Sequence, residues 1–226
     1  MAFNHIIATH RILGSLSSEQ VDRVVGLSRE LTFKRKHIIF REGEASKGIY
    51  LIIDGYVKLN RVSSDGRDLL MGLAGPDDLF GSCCQPMVPC SSPCVAEART
   101  NTKAIFMPFA SWQWLMQNYP EVSHVYLQAL MDTRSSCSTL AADLAFLSLE
   151  ARLAKLLVHL SRWSRERENG EIEIPKVLSQ WELASAIGTA REVVTRKLQD
   201  MVESGAIDRR GRQIVIRDRE ALLATR

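Results

Sequence analysis

The sequence predicts an α+β fold: a β-rich N-terminal domain, a long helix, and a C-terminal winged helix-turn-helix. Three observations carry that expectation. Between about residues 31 and 108, short runs of β-branched and aromatic residues alternate with turn signals at roughly ten-residue spacing, the pattern of a sandwich or barrel. After Pro108 the apolar residues recur at helical spacing instead. Near the C-terminus, residues 179–207 read as helix, glycine-containing turn, helix, and a basic turn and short apolar run follow.

At 226 residues, 46% hydrophobic and 24% charged, the chain has the make-up of a soluble globular protein with room for two modest cores. The opening MAFNHIIATHRILGSLSS lacks the apolar run of a signal peptide. No stretch nears the roughly 18–20 apolar residues of a membrane span, so the cytoplasm is the expected compartment. Five cysteines, an odd number, argue against a disulfide framework. No phosphate loop, HExxH, Rossmann fingerprint or Ser-His-Asp order is present, and no enzyme is expected.

Taken in order, residues 17–30 read as a helix capped by Ser17 or Ser18, with Glu19 and Gln20 in its first turn. The strand-like runs are 37–40, 48–62, 68–74 and 103–108. Asp54-Gly55 and Asp65-Gly66 read as hairpin turns, because such turns need positive φ. Residues 109–118 form a short helix, and Pro120 opens a longer one. Along that helix Tyr126, Leu130, Thr133, Cys137, Leu140 and Leu144 are spaced 4, 3, 4, 3, 4. This is a heptad seam, suited either to a two-stranded coil or to packing on the helix's own β-domain. Leu149, Leu153, Leu156, Leu157 and Leu160 stripe another helix over 146–168, with a hinge expected near Asp143 and a strand within 170–177.

The sharpest signal lies in residues 179–207. Ser179 caps a helix with Glu182 completing a capping box, Gly188 breaks it, and Thr189 is expected to cap the next. Val193, Val194, Leu198 and Met201 turn inward, leaving Arg191, Glu192, Thr195 and Arg196 to project. The RRGRQIVI run at 209–216 supplies a basic wing. Charge supports a nucleic-acid partner: residues 1–146 carry 14 Lys+Arg against 14 Asp+Glu, and residues 147–226 carry 15 against 12. The excess gathers in Arg191, Arg196, Lys197, Arg209, Arg210, Arg212 and Arg217.

Over nearly its whole length the chain resembles the cAMP receptor protein/FNR superfamily of bacterial regulators. The motifs are Glu42-Gly43-Glu44, Tyr50 through Val57, Gly66, Gly75 through Gly81, Leu144 through Leu147, and Gly188 through Arg196. The resemblance implies a β-roll like that of cyclic-nucleotide-binding domains over 1–118, a dimerisation helix and hinge over 119–145, and a winged helix-turn-helix over 146–226. It also implies double-stranded DNA, a second copy of the chain and RNA polymerase as partners. The seam above becomes the implied dimer contact. Arg191-Glu192-Val-Val-Thr-Arg196 matches the cAMP receptor branch, whose half-sites are TGTGA-like, better than the FNR branch with its TTGAT-like site. Arg can donate twice to guanine and Glu can accept from cytosine. The expected DNA-binding set is Ser179, Thr189, Arg191, Glu192, Thr195 and Arg196, with Arg209 and Arg210 on the wing.

The effector pocket departs from that family. Aligned without gaps, Ser82 stands where the ribose-gripping Glu belongs, and Ser92-Pro93 where the phosphate-gripping Arg-Ser belongs. Cyclic AMP is therefore not the expected effector. Cys83, Cys84, Cys90 and Cys94 fall in this stretch, and Cys137 aligns with a nucleotide-contacting Thr on the long helix. Such thiols suit an iron–sulfur cluster, a soft metal ion or a redox pair, or are small buried hydrophobes. Haem is a further alternative, with His5, His10, His37, His124 and His159 as ligands to consider.

Overall fold

The computed structural model describes Ile7, His10 and residues 13–66, 68–81, 91–164, 170–211 and 213–224, apart from the side chains at 125, 129 and 133. The chain divides into two compact units, residues 1–61 with 71–137, and residues 62–70 with 138–226.

In the first unit, helix α1 (Ser18–Gly26) starts at a capping box: the Gln20 N–H donates to Ser17 Oγ and the Ser17 N–H to Gln20 Oε1. The helix stops short of the expected residue 30. Ser28 Oγ donates back to the Val24 carbonyl at 2.6 Å, and strand β1 (Arg29–Phe33) begins directly afterwards. Seven more strands follow: β2 (Ile38–Phe40), β3 (Gly48–Asp54), β4 (Val57–Val62), β5 (Asp68–Ala74), β6 (Leu79–Phe80), β7 (Val95–Ala98) and β8 (Thr102–Pro108). Of these, Val62 at the end of β4 and residues 68–70 at the start of β5 are counted in the second unit. They form two four-stranded sheets, ordered β1-β8-β3-β6 and β2-β7-β4-β5.

That order corrects one expectation. Asp54-Gly55 is not a hairpin, because β3 and β4 belong to different sheets. Long-range pairing of β3 with β8 overrides the local signal, and the turn carries the chain from one sheet to the other. Gly55 has φ +90°, and a Cβ there would lie 2.5 Å from the Asn101 carbonyl oxygen, so the glycine is required by both backbone and space. Asp65-Gly66 does join neighbouring strands, β4 and β5, and its Gly66 N–H donates to the Ser63 carbonyl.

Strand β3 is buried almost throughout because both of its faces are covered. Tyr50 and Ile52 meet Val57, Phe80, Ala96 and Phe106 inside the roll, where the Tyr50 and Phe80 rings stack at 4.8 Å. Ile49 and Leu51 join a second core with Val24, Trp112, Leu115, Val122 and Tyr126. That core is supplied by α1 and by helices α2 (Phe109–Asn118) and α3 (Pro120–Phe146). Each fully buried aliphatic or aromatic side chain stabilises the unit by about 1.5–3 kcal/mol.

Helix α3 runs through Asp143 without a break. The chain turns instead at Leu147-Ser148, where Ser148 Oγ caps helix α4 (Leu149–Leu160), and Asp143 takes the Lys155 ammonium at 2.6 Å. The hinge expectation is corrected by that much. After a 3-10 turn at Ser161–Trp163, the described residues of the second unit form β9 (Ile172–Glu173), α5 (Gln180–Ile187), α6 (Arg191–Glu203), β10 (Ile207–Arg210), β11 (Gln213–Ile216) and α7 (Arg219–Leu223). The strands form one sheet, β10-β11-β9, antiparallel throughout. Leu153, Leu157, Leu183, Val194, Leu198, Ile207 and Ile216 are buried between the helices and this sheet. Within the same unit the buried Ser185 hydroxyl donates to the Asp68 carbonyl (2.7 Å) and accepts from the Leu70 N–H (3.1 Å), tying the 62–70 segment to α5. No helix among the described residues is long and apolar enough to cross a membrane.

Candidate functional site

The site is assembled around the turn between α5 and α6. Ser179 caps α5 as expected, its Oγ accepting from the Glu182 N–H while the Glu182 carboxylate accepts from the Ser179 N–H at 2.8 Å. At the other end Gly188 closes the helix in the left-handed region, φ +69° and ψ +44°. A Cβ there would sit 3.3 Å from Leu144 Cδ2. The Arg152 guanidinium donates to the Ile187 carbonyl at 2.6 Å and caps one of the carbonyls left over at the helix end.

Thr189 does not cap α6. Its N–H is consumed closing α5 on the Ala184 carbonyl at 3.0 Å, and Ala190, extended at φ −88° and ψ 153°, is the capping residue with no side-chain bond. The correction follows from geometry: the glycine turn spends Thr189 on the preceding helix. α6 then starts at Arg191 and buries Val194, Leu198 and Met201. Arg191, Glu192, Thr195 and Arg196 are exposed on its first two turns. The two arginines and Glu192 have no ion pair among the described residues. The Thr195 hydroxyl lies 3.0 Å from the Arg191 carbonyl and 3.1 Å from Gln180 Oε1. Gln180 is therefore held alongside the projecting face of α6, although its position at the start of α5 gave no such signal in sequence. Lys197, part of the basic tally, is taken up by Glu150 (2.9 Å) and Asp200 (3.0 Å), with the Glu150 hydrogen bond chief among the causes that raise its pKa.

On the wing, Arg210 donates to both Glu171 oxygens, at 3.0 and 2.8 Å, and Arg217 donates to Asp208 at 2.8 Å. Asp208 also accepts from the Arg209 N–H at 2.7 Å. The Arg217 bond, then the Arg209 N–H, hold the Asp208 carboxyl below the usual carboxylate range. Arg209 itself is partly buried and forms no ion pair among the described residues.

Of the cysteines, Cys94 is buried beside the start of β7 and Cys137 is exposed on α3. Cys83, Cys84 and Cys90 lie outside the described residues, as do His5 and Arg212. Among the described residues no group of three or more His, Cys, Asp or Glu is disposed to hold a metal ion. Both ring nitrogens of His10 are engaged, with the Asp77 carbonyl at 2.9 Å and the Leu13 N–H at 3.1 Å, so it is not a ready haem ligand.

The α3 seam is only partly a free stripe. Tyr126 is buried against Trp112, ring centres 5.9 Å apart, and Leu130 packs on the same core. Both are occupied within their own domain, the second of the two roles open to that stripe. Leu140 and Leu144 are half-buried, and the Thr133 side chain lies outside the described set.

A two-layer β-roll followed by a winged helix-turn-helix with a charged, exposed second helix defines a nucleic-acid-binding regulator by architecture. The chain matches the cyclic nucleotide-binding domain family over residues 30–119 and the Crp-like helix-turn-helix domain family over 151–225. It is 31% identical over 214 residues to a CRP-like cAMP-activated global transcriptional regulator of Mycobacterium tuberculosis, covering 92% of this chain and 94% of that one. It is 30% identical to the global nitrogen regulator of Synechococcus elongatus, with 77% and 79% covered. Among solved structures, FixK2 from Bradyrhizobium japonicum superposes with a TM-score of 0.78 at 22% identity, covering 86% of this chain and 95% of that one, a likeness of fold. The chain belongs to the CRP/FNR superfamily of DNA-binding transcription regulators.

Proposed function

We propose that the chain reads a palindromic, TGTGA-like DNA site as a homodimer. The observation that carries this reading is the exposure of Arg191, Glu192 and Arg196 on the first two turns of α6. Donors at Arg191 and Arg196 suit guanine O6 and N7, and the Glu192 carboxylate suits a cytosine amino group, each good bidentate pair contributing about 1–3 kcal/mol of discrimination. Ser179, at the exposed start of α5, and Gln180 and Thr195, beside the reading face, are suited to orienting the helix on the backbone. The test is binding of Arg191→Ala, Glu192→Ala and Arg196→Ala to a TGTGA-like palindrome and to a scrambled duplex at fixed salt. Each substitution should lower the preference for the palindrome by about five- to 150-fold, the range spanned by one lost base contact. Undiminished discrimination in all three would refute the reading.

A two-fold site needs a two-fold protein. His124, Leu127, Met131, Arg134, Ser138, Ala141 and Ala145 recur at alternating spacings of 3 and 4 and are all exposed. Leu127 and Met131, 54% and 63% exposed, supply its apolar centre. We assign the dimer contact to this stripe, one step around the helix from Tyr126 and Leu130.

For the effector, a thiol-directed signal is the first reading. It rests on the cysteines of 83–94 and Cys137, together with Ser82 and Ser92-Pro93 in place of the family's gripping residues. Cyclic AMP is the second, favoured by the relative named as cAMP-activated. Operator affinity measured with reduced, oxidised and soft-metal-treated protein, and with cyclic AMP, separates the two. A response to cyclic AMP that survives Cys94→Ser and Cys137→Ser would remove the thiol reading.

A further inference from the structure

Four cations of the second unit fall into two kinds, while Lys197 on α6 is ion-paired and Arg209 on the wing forms no ion pair among the described residues. On α6, Arg191 and Arg196 project from the helix with no ion pair among the described residues. On the wing, Arg210 and Arg217 are paired with Glu171 and Asp208. Arg210 reaches Glu171 with two bonds of 3.0 and 2.8 Å and lies 3.7 Å from Asp208. Arg217 reaches Asp208 at 2.8 Å and lies 3.8 Å from Glu171. The four formal charges cancel. The carboxylate of Glu171 is the sheltered member, 13% exposed, and the Arg210 side chain the open one at 45%. Glu171, next to β9, is thus anchored against the sheet while the arginine it holds faces solvent.

We infer that Glu171 and Asp208 are specificity-determining residues that hold Arg210 and Arg217 back from DNA phosphates. The inference rests on the DNA-binding reading above. Phosphate contacts add affinity for every sequence alike, whereas base contacts select. Each phosphate neutralised by a free cation also steepens the fall of log K with log salt by about 0.9. An arginine already chelated by a carboxylate must give up that pair before it meets a phosphate, so its gain is only a difference. With Arg210 and Arg217 paired and Arg191 and Arg196 free of ion pairs among the described residues, a larger share of the affinity comes from the sequence-reading helix. The price in raw affinity falls on random DNA.

The experiment is a salt titration of the full-length wild type, Glu171→Gln, Asp208→Asn and Glu171→Gln/Arg210→Ala, on a TGTGA-like palindrome and a scrambled duplex. Freed of its clamp, Arg210 in Glu171→Gln should bind the scrambled duplex several-fold more tightly near 0.1 M salt. It should steepen the scrambled-duplex salt slope by about one and reduce the palindrome-to-scrambled ratio. Asp208→Asn should act in the same direction through Arg217. The double substitution should return the slope to the wild-type value. Scrambled-duplex slopes of both single variants equal to wild type would overturn the inference. So would a slope in Glu171→Gln that stays steep after Arg210 is removed, since the gain would then be a loss of negative charge and not a released arginine. Loss of discrimination in the wild type would sink the base-reading proposal instead; the wing is judged on the scrambled duplex alone.

Discussion

Gly188 decides the angle at which α6 leaves α5, and two independent constraints act on it. Its left-handed backbone disfavours any L side chain, and a Cβ would crowd Leu144 at 3.3 Å. Gly188→Ala should therefore destabilise the second unit by about 1 kcal/mol or more, read as a lower denaturation midpoint with an unchanged denaturant slope. Ser179→Ala, which removes one side of the capping box, should cost about 1 kcal/mol by the same measure. On the wing, the Asp208 carboxyl titrates below its unfolded value because Arg217 and the Arg209 N–H favour its charged form. A depressed carboxylate contributes stability above its unfolded pKa, about 3.9, and loses it as pH falls through the folded value. The Arg217–Asp208 pair is therefore intact at neutral pH. Asp208→Asn should leave the pH dependence of DNA binding between about pH 6 and 8 unchanged while shifting its salt dependence.

Helix α3 carries two stripes with opposite fates, one apolar and one more polar with Leu127 and Met131 at its centre. Tyr126 and Leu130 face their own domain's core, while Leu127 and Met131 remain exposed. Leu127→Glu or Met131→Glu should yield a monomer in sedimentation that fails to bind the palindrome. Leu130→Ala should remain dimeric and lose on the order of 2 kcal/mol from the β-domain, toward the low end for a core leucine because the residue is only partly buried. Monomers from Leu130→Ala, with Leu127→Glu still dimeric, would move the contact back to the original seam. The same helix shows the limit of periodicity. The Tyr126–Leu144 stripe is a genuine apolar repeat in sequence, yet the more polar stripe beside it is the one left uncovered.

On the proposed reading, in which a signal is sensed in the β-roll, the effector acts by binding one of two states of the protein more tightly than the other. If thiols sense that signal, oxidation should change operator affinity in the wild type, and Cys137→Ser, an exposed position on α3, should alter the response without altering the reduced-state affinity. If cyclic AMP senses it, affinity should rise with the nucleotide regardless of redox state. Equilibrium DNA binding in the two conditions distinguishes these outcomes directly.

The parts of this protein legible from residues alone are those written in short-range terms. The α5–α6 motif is one, because its capping box spans three residues and its glycine turn is local. The alternation of short strands is another: it predicts a sandwich or barrel, and two four-stranded sheets form. Strands β1, β6 and β7 were harder to see. RELTF alternates with charge, the Leu79–Phe80 pair is too short, and VAEA is small, so none carries a run of β-branched residues. The rest was settled by partners distant in the chain. Asp54-Gly55 looked like a hairpin until β8 paired with β3, and Thr189 looked like a cap until its N–H was drawn to Ala184. Arg210 looked like a free cation until Glu171, 39 residues earlier, came within 2.8 Å. Local preferences of turn, cap and charge are of order 1 kcal/mol, and long-range pairing and burial outweigh them wherever the two compete.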